Sequence, residues 1–177
     1  MRLPYLTLLA VFGLLVAASS SAAAPPAHPV TGTLSSTTTT GVATFCTAGT
    51  ISSSGTVDAT FIGSGTYTGT VTTSSCLFPP FCCGVSSDPY PVDGAFTFSG
   101  RGGSFTASGS GTGVTFTSAH TDDYTFDLSL TIDGGTGRYR HATGSLSVHL
   151  LADAFLQDQT ESSRGTIDGS ITIGGKP

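Results

Sequence analysis

The sequence predicts an all-β protein: an eight-stranded antiparallel β-barrel, with a two-sheet β-sandwich as the alternative. Apolar and polar residues alternate with a period of two through most of the chain, as in strands with one buried and one solvated face. Short glycine-containing turns separate these segments, and threonine fills many of the polar positions. No segment gives a convincing helical pattern. A barrel and a sandwich are the two all-β architectures that bury one face of such strands.

Residues 1–24 have the layout of a secretory signal peptide. Arg2 precedes an apolar run from Leu3 to Ala18, and the small residues from Ser19 to Ala24 offer cleavage sites. The apolar run is shorter than the roughly 20 residues that span a bilayer. We therefore expect a secreted, extracellular protein with no stable membrane span after signal cleavage.

The next segment, residues 25–41, is rich in Pro, Ala, Ser and Thr and contains the run Thr37–Thr40. A composition with so few large apolar residues predicts a flexible leader. The alternating pattern begins at Val42, so we assign residues 42–177 to a single barrel domain. Such a length is typical of one domain.

The four cysteines are an even set, as expected of disulfides in an exported chain. They predict two disulfides with three open connectivities and involve Cys46, Cys76, Cys82 and Cys83. A zinc site is the alternative, but two of the cysteines are adjacent and no Cys-x2-Cys pair is present. We therefore expect neither a metal site nor a cofactor.

Residues 76–93 interrupt the strand pattern and include four prolines, which exclude a central strand. We predict a long loop pinned by disulfides. It is either a surface insertion or a ligand loop that exposes Phe78, Phe81 and Tyr90, since long loops on rigid scaffolds often carry function.

The clearest strand runs from Tyr124 to Ile132 and leads into Asp133-Gly134-Gly135-Thr136-Gly137-Arg138-Tyr139. A dinucleotide-binding fingerprint would need a glycine where Arg140 stands and a helix after it. We therefore predict that Gly134, Gly135 and Gly137 form a structural turn in which at least one has a positive φ.

Period two also predicts which side chains share the interior, because neighbours on a strand face opposite ways. The expected core comprises Phe96, Phe98, Phe105, Phe116, Phe126, Leu128, Leu130, Leu146, Val148, Ile167 and Ile171. Asp127 and His149 then fall on the outer face. Pairing across the sheet would make them an acid–base couple, but we expect a solvated pair of positions and assign no catalytic residue.

The charge balance narrows the choice of partners. The chain has a net charge of -5, with 6 Lys and Arg against 11 Asp and Glu. It has no basic stripe with which to neutralise phosphates, so we expect no nucleic acid partner.

The residues from Ile132 to Tyr139, followed by Ala142-Thr143-Gly144-Ser145, resemble the barrel group of dirigent proteins and allene oxide cyclases. Gly165-Thr166-Ile167-Asp168-Gly169-Ser170-Ile171 looks like the closing strand of secreted bacterial members. The resemblance covers about the last 50 residues well. It implies an eight-stranded barrel whose apolar interior takes hydrophobic molecules, such as phenolic radicals or an unstable fatty-acid epoxide.

Together these patterns favour a secreted, non-enzymatic barrel that binds a small apolar or phenolic ligand or acts as an extracellular interaction protein. The alternative is an isomerase or cyclase of the allene oxide cyclase type. The interior distinguishes them, because an eight-stranded barrel either fills with side chains or holds one small ligand. The 11 phenylalanines tilt the expectation toward a filled interior. The sequence leaves the oligomeric state open.

Overall fold

The protein is a closed barrel of eight antiparallel strands, each paired with its neighbours in sequence order, and β8 closes the barrel onto β1. The computed structural model describes residues 24–41, 49–73, 89–117, 122–154 and 160–174. The strands are β1 Ala27–Gly41, β2 Gly49–Ala59, β3 Gly63–Thr73, β4 Tyr90–Gly100, β5 Gly103–Thr117, β6 Asp122–Gly135, β7 Ala142–Ala154 and β8 Thr160–Ile173. The barrel prediction is confirmed, and the sandwich alternative is wrong.

The predicted flexible leader is also wrong, because residues 27–41 form the strand that closes the barrel. β1 pairs with both β2 and β8, and it buries Val30 and Leu34 in the interior. The inward position between them is Gly32, where a Cβ atom would collide with the backbone of Asp58 and Ala59. This glycine interrupts the alternation of apolar residues, so the sequence of the strand looks uniformly polar. Its threonines nevertheless suit the solvated face of a sheet.

The predicted core is confirmed wherever its side chains are described. Phe96, Phe98 and Phe105 are each at most 2% exposed, as is Phe126, and the aliphatic members on β6, β7 and β8 are also buried. The side chain of Phe116 lies outside the described part of β5. Ring centroids of Phe98 and Phe105 are 5.2 Å apart, and Phe96 lies 6.0 Å from Phe98. Aromatic side chains thus fill much of the barrel.

One end of the barrel, which we call the turn end, carries the three tight connections β2–β3, β4–β5 and β6–β7. The last contains a short 3-10 helix, Gly137–Tyr139. Tyr139 is fully buried, and its ring centroid lies 5.2 Å from that of Phe105. The glycine-rich segment therefore places the ring of Tyr139 over the interior, which it covers at this end.

Glycine makes this connection possible. Gly134 and Gly137 have φ values of 128° and 56°, whereas Gly135 is not in the positive region. The prediction of at least one positive φ is confirmed. The register between β5 and β6 shifts at Thr106. Thr106 pairs with Gly134, but the next residue, Ala107, pairs with Ile132. Asp133 is therefore the extra residue of a β-bulge.

The strand ends opposite the turn end define the loop end. The four cysteines, Phe78 and Phe81 fall outside the described residues, and so does the signal segment 1–23. The two-disulfide, ligand-loop and signal-peptide predictions therefore stay predictions. Tyr90 is described: it opens β4 and packs partly buried against the core, so the strand begins inside the predicted loop.

Pro91 is tolerated in β4 because the ladder with β3 extends only to the pair Thr72–Asp93. In the described residues, no helix is long and apolar enough to cross a membrane.

Candidate functional site

The outer wall of the barrel is a surface of hydroxyl groups. On β3, the outward residues Thr66, Thr68, Thr70 and Thr72 are all exposed, and serine and threonine take most outward positions of the other strands. The exposed acids on the described strands are Asp58, Asp93, Asp127, Asp133 and Asp168. This wall offers many hydrogen-bond donors and acceptors and few charges.

Across β2 to β6 the wall forms an open groove of about 520 Å³, which we call the wall groove. It is lined by Ser54, Thr68, Thr97, Thr106, Ser108 and Asp133, among others. A second depression of about 500 Å³ shares Thr70, Ala95 and Ser108 with it and extends toward Thr72 and Asp93. The two depressions adjoin on the outside of β3, β4 and β5, and serine and threonine hydroxyls alternate in their lining with apolar groups such as Ala95.

Asp127 and His149 meet on another part of the wall. They are partners across β6 and β7, with 2.6 Å between Asp127 Oδ1 and His149 Nδ1, and their side chains are 67% and 50% exposed. The predicted outward orientation is confirmed, and the pairing across the sheet is real. Thr166 and Asp168 on β8 border the same depression of about 220 Å³. Water competes for a contact this exposed, and exposed side-chain pairs of this kind typically contribute about 0–1 kcal/mol.

The turn end carries a cluster that the sequence analysis missed. Phe61 lies in the β2–β3 connection with φ 66°. The His28 ring stacks on its ring at a centroid distance of 4.3 Å, and the Arg138 guanidinium also lies 4.3 Å from that centroid. Arg138 donates a hydrogen bond to the carbonyl of Phe61 and lies 4.8 Å from the Tyr139 ring. Phe61 and Tyr139 thus hold one exposed guanidinium in place, and His28 of β1 stacks on the Phe61 ring.

Only the basic-plus-aromatic pair Arg138-Tyr139 hinted at this cluster. The other members come from β1 and from a three-residue turn, and no spacing in the chain links them. Ser104 ties the neighbouring turn to the same connection: its N–H donates to Thr136 Oγ1 at 3.1 Å, and its carbonyl accepts from Thr136 N–H at 2.7 Å.

The barrel interior contains hydroxyls but, among the described residues, no buried acid, base or cation. Ser36 and Ser163 share a hydrogen bond inside the barrel. The hydroxyls of Tyr67 and Tyr139 are buried and have no hydrogen-bond partner in the described part of the chain. The described residues also contain no cluster of three or more His, Cys, Asp or Glu that would hold a metal ion.

Comparisons with protein-family models, with curated proteins and with solved structures found no match to this chain. The function must therefore be argued from the barrel, its wall and its ends.

Proposed function

We propose that this protein is a secreted, non-enzymatic interaction protein that binds an extracellular partner through the outside of its barrel. The observation that carries the proposal is the contrast between the two faces of the strands. The inside is occupied by a core of buried apolar side chains, while the outside presents grooves lined by hydroxyls. The proposed secretion rests on the N-terminal leader.

The chemistry of the wall groove supports binding rather than catalysis. Among the described residues, its lining contains serine and threonine hydroxyls and one carboxylate, that of Asp133, and no histidine, cysteine or lysine. Such a surface suits a hydrophilic partner that exchanges hydrogen bonds with many serines and threonines.

A second candidate is a small phenolic or apolar ligand held inside the barrel, as the resemblance to the dirigent and allene oxide cyclase group implies. The buried, unpartnered hydroxyl of Tyr67 favours it, because buried polar groups usually find a partner. A cyclase of that kind would act by shaping its substrate, since the described interior offers only neutral hydroxyls.

One pair of experiments separates these candidates. Native mass spectrometry of the exported protein should show the bare polypeptide mass, without an apolar passenger. Fluorescently labelled protein should bind the exterior of the producing cells, and the double variant Thr68→Tyr/Thr106→Tyr should weaken that binding at least fivefold. Tyrosine is a good strand former, so the fold should tolerate both changes.

The matched control is Thr33→Tyr, which places the same ring on an exposed position of β1 away from the wall groove. It should bind like the unaltered protein. A stoichiometric apolar passenger, together with wall variants that bind normally, would overturn the proposal in favour of the interior ligand.

A further inference from the structure

We infer that the turn end is the docking site for a carboxylated polysaccharide, which continues from there into the wall groove. The inference rests on the proposed function and names the chemistry of its partner.

The fold gathers cations that are scattered in the sequence. Arg101 lies in the β4–β5 connection, and Arg138 and Arg140 lie in the β6–β7 connection, all at the turn end. Contacts link these connections: the Arg138 amide donates to Gly102 O at 2.9 Å, and a Cβ atom on Gly102 would lie 2.9 Å from Arg138 Cδ. Of the described arginines, only Arg164 lies elsewhere, on β8.

None of these guanidinium groups forms a salt bridge with a carboxylate of the described residues, where the acid–base contact found is that of Asp127 with His149. Asp58, which accepts a hydrogen bond from Ser64 at 3.3 Å, and Asp133 in the β6 bulge lie close to these connections along their own strands, but neither forms a salt bridge with a described arginine. The guanidinium groups of this end therefore stay available to an anion.

Arg138 is the best-organised of the three. Its hydrogen bond to the Phe61 carbonyl and its position over two rings fix the guanidinium, while the residue remains exposed. A guanidinium has five N–H donors in a planar fork that matches a carboxylate. Holding that fork in advance reduces the entropy lost when an anion binds.

The surface next to the turn end indicates a sugar chain rather than a bilayer. The wall groove reaches the turn end at Asp133 and Thr106, beside the bulge, and presents hydroxyls along its length. Uronic-acid sugars offer carboxylates to the arginines and hydroxyls to the groove. Phe61 is partly buried under its stacking partners, which leaves the described turn end without the apolar face that interfacial membrane binding requires.

The test measures binding of oligogalacturonate to the full secreted chain by calorimetry at low salt, with neutral dextran as the uncharged control. Arg101→Gln and Arg140→Gln should each weaken affinity at least threefold, and the double variant at least tenfold. Arg164→Gln removes the same charge from β8 and should stay within twofold. Raising the salt to 0.5 M should abolish most of the binding, because exposed charges are screened.

Arg138→Lys keeps the charge but loses the fork, and should weaken affinity at least threefold while the protein stays folded at the assay temperature. Absence of oligogalacturonate binding, equal losses for Arg164→Gln, or preferential binding to phosphatidylserine vesicles would each overturn the inference. The proposed function fails separately: its signature is an apolar passenger in native mass spectrometry together with wall variants that bind cells normally, whatever the polysaccharide result.

Discussion

At the scale of single residues, Gly137 is the position where backbone conformation most restricts which amino acid can be accommodated. Its φ of 56° is unfavourable for a side chain, and a Cβ atom there would also collide with the carbonyl of Gly102. Gly134 has a φ of 128°, but a Cβ atom on it would meet nothing within 4 Å. A side chain at Gly137 would therefore meet both backbone strain and a steric clash, whereas a side chain at Gly134 would meet backbone strain alone.

We predict that Gly137→Ala lowers the free energy of unfolding by more than the roughly 1–2 kcal/mol expected from a left-handed backbone alone. Urea denaturation measures the loss. A loss within about 1–2 kcal/mol would mean that the contact with Gly102 relaxes without cost.

Phe61 poses the opposite case, a large side chain with φ 66°. The hydrogen bond from Ile62 N–H to Thr60 O, 2.7 Å long, closes a three-residue turn around it, the strained form of γ-turn. Its ring compensates by stacking with His28 and Arg138.

When the Phe61 ring is removed, its stacking contacts are lost and the backbone strain at the positive φ remains. We therefore expect Phe61→Gly to be more stable than Phe61→Ala by about 1 kcal/mol, the reverse of the usual order inside strands. Thermal unfolding of the two variants decides the matter, and an alanine variant as stable as the glycine one would contradict the account of this turn.

Asp127 should matter little to stability. Its carboxylate contacts His149 in solvent, with 67% of the side chain exposed. Asp127→Asn should change the free energy of unfolding by no more than about 0.5 kcal/mol, as for ordinary surface substitutions. His149→Gln serves as the reciprocal variant, and a loss above 2 kcal/mol in either would give this pair a structural role that its exposure does not suggest.

At the scale of the strands, sequence pattern was sufficient where apolar residues filled successive inward positions. β6 carries Tyr124, Phe126, Leu128, Leu130 and Ile132 on one face, and all are buried as period two requires. In β1 the inward series includes Gly32 and Ser36, so the same periodicity leaves almost no hydrophobic signal. Pairing with β2 and β8 determines that strand, and pairing partners are not visible in local sequence.

The strand assignment of β1 gives a direct prediction. Leu34 is 2% exposed, so Leu34→Ala should cost about 2–5 kcal/mol, the usual range for buried leucines. Thr33→Ala, on the outward face of the same strand, should cost far less. Chemical denaturation of the two variants tests this prediction. If neither substitution changed the free energy of unfolding, residues 27–41 would behave as a flexible leader rather than as a strand.

At the scale of the whole molecule, the barrel followed from the number and rhythm of strands, but the turn-end site did not. The glycine-rich segment predicted a turn, and it is one; nothing in its spacing predicted that Arg138 would contact Phe61, on which His28 stacks. Those contacts depend on how the closed barrel aligns β1 with two connections that lie far apart in sequence. Sites of this kind emerge from topology, which local patterns do not encode.

The same topology bears on the cysteines. Cys46 belongs to the segment that joins β1 to β2, and Cys76, Cys82 and Cys83 belong to the segment that joins β3 to β4. Gly49 and Thr73 are paired across β2 and β3, so the two segments leave the barrel at the same end. The starting points of both cysteine-containing segments therefore lie at one end of the barrel, and the connectivity of the predicted disulfides stays open.

We therefore predict that the exported protein, denatured without reductant, has no thiol that reacts with Ellman's reagent. Reduction should lower its melting temperature, because each disulfide typically contributes about 2–4 kcal/mol by restricting the unfolded chain. A variant with all four cysteines replaced by serine should melt like the reduced protein and be insensitive to reductant. Two or more reactive thiols in the exported chain would contradict the pairing, and the β3–β4 segment would then have no covalent constraint.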